Sequence, residues 1–275
     1  MRPNVLTIAG FDGSGGAGLQ ADLKTFAALN CYGLSALTAL PIQNTQGIST
    51  CYELPLQSIT DQLVCLFDDI PVNAIKVGML FTGAIIHAVA DFLESHSQNI
   101  PIVLDPVMVA TSGDPLLKPD AVEALVTRLF PLSTLLTPNL KEAEALTNLK
   151  ASTPEEMLIM AQQVKNMGAK AVLLKGGHLP QKFDANDLFL ENTKCPQWIN
   201  KPRIRTPNTH GTGCTLSSAV AAYLAHGFDV ATSCHKAKNY LHDALLSAKN
   251  HRLGHGAGPV DHFFNQHTII NQEIL

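Results

Sequence analysis

Val5-Leu6-Thr7-Ile8-Ala9-Gly10-Phe11-Asp12-Gly13-Ser14-Gly15-Gly16-Ala17-Gly18 opens on a short apolar run and ends in a glycine-rich turn. Behind it, Leu19, Leu23 and Phe26 recur at helical spacing. A strand apolar at successive positions, followed by a turn and a helix, is the unit from which a parallel sheet covered on both faces is built. The unit recurs along the chain. Residues 34–42, 74–77, 102–104, 135–136 and 171–174 read as further strands, and residues 85–93, 121–130, 140–146 and 157–167 read as helices. Ile59, Leu63, Leu66 and Phe67 mark one more helix. Residues 188–191 are expected to pair with residues 201–205 as an antiparallel hairpin, before helices at 215–226 and 230–249. The expectation is an α/β fold, a central, mostly parallel sheet with helices on both faces. No Pro/Ser-rich linker interrupts it, so residues 1–275 are expected to form a single domain.

Composition agrees. Of 275 residues, 46% are hydrophobic and only 15% charged, which excludes a disordered chain. A formal net charge of -4 without any Lys/Arg block argues against a nucleic-acid face. Asp12 interrupts the N-terminal apolar run too early for a signal peptide, and no stretch approaches the ~20 apolar residues of a membrane span. The six cysteines, at 31, 51, 65, 195, 214 and 234, include no C-x-x-C pair, which fits a reduced, cytoplasmic protein.

In an open parallel sheet ligands bind beyond the carboxyl ends of the strands, and the candidate residues follow strands. Gly13 to Gly18 matches G-x-G-x-x-G, the dinucleotide fingerprint, or a tight strand-to-helix turn. The fingerprint wants an acid after the second strand; Gln43-Asn44-Thr45-Gln46 supplies none. His210-Gly211-Thr212-Gly213-Cys214-Thr215 precedes an apolar helix and suits an anion held by free N–H groups and the positive end of the helix dipole. Cys214 would sit in that first turn, where a thiol becomes more acidic. The competing reading is a helix capped by Thr212 or Thr215 with an inert cysteine. Asn139 and Glu142 follow residues 135–136 and suit Mg²⁺ through waters, or else form a capping pair. Asp105, locked by Pro106, is a metal or catalytic candidate or a turn residue, and Lys175 a phosphate contact or a solvated lysine. His251, His255, His262 and His267 lie in a Gly-containing tail, where a solvated end outweighs a metal site. No Walker A sequence, H-E-x-x-H or G-x-S-x-G occurs.

Taken together, residues 9–28 (AGFDGSGGAGLQADLKTFAA), Gln43-Asn44-Thr45, 76–80 (KVGML), 104–117 (LDPVMVATSGDPLL), 137–144, 175–178, 208–217 (NTHGTGCTLS) and 256–263 resemble the ribokinase-like family. Within it they are similar to the hydroxymethylpyrimidine/phosphomethylpyrimidine kinases of thiamine biosynthesis. The resemblance implies ATP-dependent phosphorylation of a pyrimidine hydroxymethyl group and then of the monophosphate, with ATP and Mg²⁺. It implies an anion hole at Gly211, Thr212, Gly213 and Cys214, with Cys214 where most sugar kinases of this fold have an Asp base. Asp105, Asn139 and Glu142 would organise Mg²⁺, and Lys175, Asn139, Thr209 and His210 would contact ATP. Gly10, Asp22, Gln43, Met79 and Val107 would line the pyrimidine pocket. The implied partner is a small aminopyrimidine alcohol or its phosphate, with neither nucleic acid nor membrane, in a homodimer. Some pyridoxal kinases of this fold also carry Cys at the anion hole and form the nearest alternative. An NAD(P) oxidoreductase, suggested by Gly13 to Gly18 alone, and a non-catalytic nucleotide-binding module are the remaining ones.

Overall fold

A computed structural model describes residues 1–108, 117, 121–180, 183–191 and 195–266. His267 and residues 109–116 of the quoted motif lie outside them. The central sheet has eight strands: β1 (Asn4–Ala9), β2 (Tyr32–Leu37), β5 (Ala74–Val77), β6 (Ile102–Leu104), β7 (Leu135–Leu136), β8 (Ala171–Leu174), β9 (Asp187–Glu191) and β10 (Gln197–Ile199). Their order is β10-β9-β8-β7-β6-β5-β1-β2. All neighbours from β2 to β8 run parallel, and β9 and β10 close the sheet antiparallel. The expected architecture is therefore present.

Side-chain alternation divides two cores. Leu6, Ile8, Ile75, Val77, Leu104, Val172 and Leu174 face a core shared with α2 (Leu56–Asp69), α3 (Gly83–His96) and α6 (Pro154–Asn166). Val5, Ala74, Val103, Leu135, Leu173 and Phe189 point the other way, toward α7 (Thr212–Ala225) and α8 (Val230–Ala248). Phe26 of α1 (Gly18–Ala28) joins the second core. Burial on both sides is why these strands read as apolar at successive positions. Residues 121–130 form α4 (Ala121–Ala124), which runs into a π-helical turn, Leu125–Leu129. Helix starts follow local chemistry. Thr153 caps α6 in a reciprocal box with Glu156, followed by Pro154, and the Asp229 side chain accepts from Thr232 N–H at the start of α8.

Two expectations are corrected. Residues 34–42 are not one strand. The chain turns at Thr38, whose hydroxyl donates to the Met79 carbonyl at 2.6 Å, and β3 (Ala39–Asn44) leaves the main sheet to pair with β4 (Gly47–Glu53) as a two-stranded flap. Pro41 cannot donate to a ladder, which suits this small separate sheet. The partner of β9 is β10, not residues 201–205. Pro202 removes a donor there. The Arg203 guanidinium instead donates to the carbonyls of Gly177, Leu179 and Phe183, so the segment braces a loop beside the sheet.

Candidate active site

The carboxyl ends of β1, β5, β6, β7 and β8 open into a cavity of about 500 Å³. That is the size of a small-molecule site.

Gly10 follows β1, and Gly18 begins α1 at φ +54°, where a Cβ would overlap the Gly10 carbonyl. Between them the chain knots around Asp12, which is fully buried. Its carboxylate accepts from the N–H groups of Ser14 (2.9 Å), Gly16 (3.0 Å) and Ala17 (2.7 Å), from the Ser14 hydroxyl (2.7 Å) and from His210 Nε2 (2.9 Å). Burial alone would raise this carboxyl, but the bonds from His210, Ser14 and Ala17 outweigh it and hold it far below the usual range. The loop's N–H groups thus turn toward its own carboxylate rather than a pyrophosphate. This gives the glycine motif a structural reading and removes the support for a dinucleotide.

The second glycine loop behaves differently. Gly211 is the N-cap of α7 at φ +75°, and a Cβ there would overlap the Gly16 carbonyl, so the two loops interlock. No side chain caps α7, and its first turn carries no acid. The alternative of a Thr212 or Thr215 cap is therefore corrected: the Thr212 hydroxyl donates to the Thr209 carbonyl and the Thr215 hydroxyl meets His262 Nε2. The first turn of α7 faces the cavity through Thr212, Gly213 and Cys214. The Thr212 N–H donates to the Thr209 carbonyl at 3.4 Å, and the N–H groups of Gly213 and Cys214 with the dipole's positive end have the chemistry of an anion site.

Beside it lie the charged groups. Asp105 follows β6, and its Oδ1 accepts from Lys175 Nζ at 2.8 Å. Lys175 follows β8 and also lies 3.9 Å from Glu142 Oε2. A Cβ on Gly213 would stand 3.2 Å from Lys175 Nζ and 3.3 Å from Asp105 Oδ2, so these groups adjoin the start of α7. Asn139 and Glu142 do form a capping box on α5 (Leu140–Thr147), Asn139 N–H donating to Glu142 Oε2 at 2.7 Å. Burial pushes the Glu142 carboxyl well up; Lys175 opposes this and the nearby Asp105 charge adds to it. Burial also pulls Lys175 down, but Asp105 and Glu142 outweigh it and raise it. Among the described residues no group of three His, Cys, Asp or Glu side chains could hold a metal. Two buried carboxylates, one burdened by its charge, still fit an octahedral ion that keeps most of its waters. Of the tail histidines, His262 is buried against Thr215.

At the other end of the cavity, Gly10, Gln43, Met79 and Val107 all line the wall. A β-bulge between Ile42 and Gln43 aims Gln43 inward, and its amide donates to the Phe11 carbonyl at 3.2 Å. Thr209 and His210 also line the cavity. Asp22 does not reach the wall. It is fully buried, ion-paired with Lys76 at 2.8 Å, and accepts from the hydroxyls of Thr7 and Ser218, each at 2.6 Å. That correction follows from its place on the inner face of α1. Burial pushes the Cys214 thiol up to about 11; the Lys76 ammonium and a bond from Gly18 N–H lower it, while Asp22 and Asp105 raise it. The acidic thiol expected of a helix N-terminus is not formed.

Sequence reasoning missed Asp12, Lys76 and the pair Lys238–Asp187, which lines the far end at 2.8 Å. Lys76 carried a signal, a lysine between the apolar residues Ile75 and Val77 of a buried strand. Lys238 sits on α8 and carried none.

The profile of a family described as phosphomethylpyrimidine kinase matches residues 12–261. The hydroxymethylpyrimidine/phosphomethylpyrimidine kinase of Escherichia coli (strain K12) is 48% identical over 264 residues, covering 95% of this chain and 98% of the relative. A crystal structure of phosphomethylpyrimidine kinase from Clostridium difficile 630 is 38% identical with a TM-score of 0.77, covering 89% of this chain and 100% of the other. A pyridoxal kinase from Staphylococcus aureus, in complex with AMP-PCP and pyridoxal, is 34% identical with a TM-score of 0.87 over 98% of this chain and 96% of its own. With a profile spanning nearly the whole sequence and near-complete mutual coverage at 48% identity, the chain belongs to the phosphomethylpyrimidine kinase family.

Proposed function

We propose that the protein transfers the γ-phosphoryl group of ATP to the hydroxymethyl oxygen of 4-amino-5-hydroxymethyl-2-methylpyrimidine, and then phosphorylates the monophosphate, within thiamine biosynthesis. One observation carries this. The uncapped start of α7, the Asp105–Lys175–Glu142 cluster and the Gln43–Met79–Val107 wall open into the same cavity.

Phosphoryl transfer needs positioning and charge neutralisation more than covalent help. In this reading the hydroxymethyl oxygen attacks the γ-phosphorus, the bond to the β–γ bridging oxygen breaks, ADP leaves and the hydroxyl proton passes to water; in the second transfer an oxygen of the monophosphate attacks in the same way. The N–H groups of Gly213 and Cys214, beside Thr212, would face the charge that develops on the transferring oxygens. Lys175 neutralises phosphate oxygens, and Thr209 and Asn139 lie on the nucleotide's side. Asp105, Glu142 and Asn139 would hold Mg²⁺ through waters, and the ion would supply charge neutralisation at the phosphates. Gln43 presents donor and acceptor to the edge of an aminopyrimidine, while Met79 and Val107 supply apolar surface for its ring.

Other features fit this reading. All six cysteines are free, as in a reducing cytoplasm. Among the described residues no helix is long and apolar enough to cross a membrane. Ile42 and Tyr52 of the β3–β4 flap are 43% and 59% exposed, which suits pairing of the flap in a homodimer.

The likeness to a pyridoxal kinase favours a second reading, pyridoxal as substrate at the same wall. Product analysis with ATP, Mg²⁺ and either the hydroxymethylpyrimidine or pyridoxal decides. We expect sequential mono- and diphosphate from the pyrimidine. Phosphorylation of pyridoxal alone would overturn the first reading, and ATP consumption with neither would overturn both.

A further inference from the structure

The two glycine loops carry opposite halves of the proposed reaction. Residues 10–18 hold the wall where the acceptor alcohol would lie, and residues 208–214 present the anion site. They come from distant parts of the chain and are joined side chain to side chain by Asp12 and His210, at 2.9 Å. Asp12 already holds the first loop through four other bonds. His210 immediately precedes the cap residue Gly211, and its N–H donates to the Gly258 carbonyl at 3.0 Å. A Cβ on Gly16 would strike the imidazole edge and crowd Pro259, so the ring is seated on the first loop. An ionised carboxylate only accepts, which makes Nε2 the protonated ring nitrogen.

We propose that Asp12 and His210 form a clasp that sets the register of the α7 anion site against the acceptor's hydroxymethyl group. On this view both are positioning residues, and His210 acts through Asp12 rather than by holding ATP. The proposal rests on the reaction put forward above. Misplacement of reacting atoms by about 1 Å can cost on the order of 10²-fold in rate. Loosened register also lets water reach the phosphoryl group.

The test compares His210→Ala and His210→Gln with the parent, leaving the Asp12 knot intact. Three quantities are read: turnover, the ratio of phosphorylated product to ADP released, and the dissociation constant of ADP with Mg²⁺ by calorimetry. The parent is assayed first, with the pyrimidine and with pyridoxal. Failure of the substrate reading shows in the parent, whereas failure of the clasp shows only in the variants. We expect His210→Ala to lose about 10–10²-fold in turnover, with product per ADP falling well below that of the parent and ADP affinity within about twofold. His210→Gln, whose amide can donate to Asp12, should recover most of both. ADP affinity falling in step with turnover would make His210 a nucleotide contact and overturn the proposal. So would tight coupling in His210→Ala, or failure of Gln to rescue a variant that melts as the parent does.

Discussion

At the scale of single residues, Cys214 shows how burial reverses a local rule. A helix N-terminus favours a thiolate, but desolvation pushes this thiol up to about 11, so it enters neutral solution protonated. The backbone N–H survives truncation. Cys214→Ala is therefore expected to keep turnover within about tenfold of the parent at pH 7, since the anion donors remain. Deprotonation contributes only as pH approaches the raised value, so the parent's turnover should climb from pH 8 to 10 while the alanine variant stays flat. A loss of about 10² or more at pH 7 would show that the thiol does act as a base there. Gln43 is the complementary case, a polar group aimed inward by a bulge. Leaving a buried ligand group unpaired costs roughly 1–3 kcal/mol, so Gln43→Leu should raise the pyrimidine KM by about 5–150-fold and leave that for ATP unchanged. Equal losses for both ligands would make Gln43 structural.

Among the elements, α5 shows that a cap and a ligand set need not be alternatives. Glu142 closes the box with one carboxylate oxygen while sharing the neighbourhood of Lys175 and Asp105. Its carboxyl is raised in the folded state, so between its ordinary value of 4.5 and neutrality the folded protein binds more protons than the unfolded chain. Stability contributed here is present below 4.5 and is lost as pH rises toward neutrality. Glu142→Gln keeps a residue that can serve the box. It should therefore gain melting temperature on the parent as pH rises from 5 to 7.5 without added metal. The same variant should need several-fold more Mg²⁺ for half-maximal rate. An unchanged Mg²⁺ requirement would leave Glu142 as a cap alone.

On the scale of the whole molecule, one continuous cavity joins the Gln43 wall to the Lys238–Asp187 end, so a nucleotide and an acceptor would share it. Ligands that bind only the folded state stabilise it by about 2.7 kcal/mol at 100 times Kd. For a domain of this size that is roughly 5–10 °C in melting temperature. AMP-PCP with Mg²⁺ and the hydroxymethylpyrimidine are each expected to produce a shift of this order, read by differential scanning fluorimetry. A pyrimidine that produces none, with or without nucleotide, would remove it from the cavity.

The alternation of buried strands and helices was legible in the sequence, because strands covered on both faces have no polar face to hide. So was the gathering of Asp105, Asn139, Glu142, Lys175 and the 211–214 loop around one cavity, since the carboxyl ends of parallel strands open to one side. What needed the tertiary structure was the direction of each group. The N–H groups of residues 14–17 turn to Asp12, whereas those starting α7 face the cavity, though both loops read as glycine-rich turns before helices. The family resemblance implies a place for Asp22 in the pyrimidine pocket, yet Lys76 claims it from 54 residues away. The meeting of Asp12 with His210 spans 198 residues, a separation no local pattern encodes. Periodicity records which faces are buried; burial depth and the partner across the gap are set only when the strands assemble, and those two quantities decide whether a side chain is a ligand or a support.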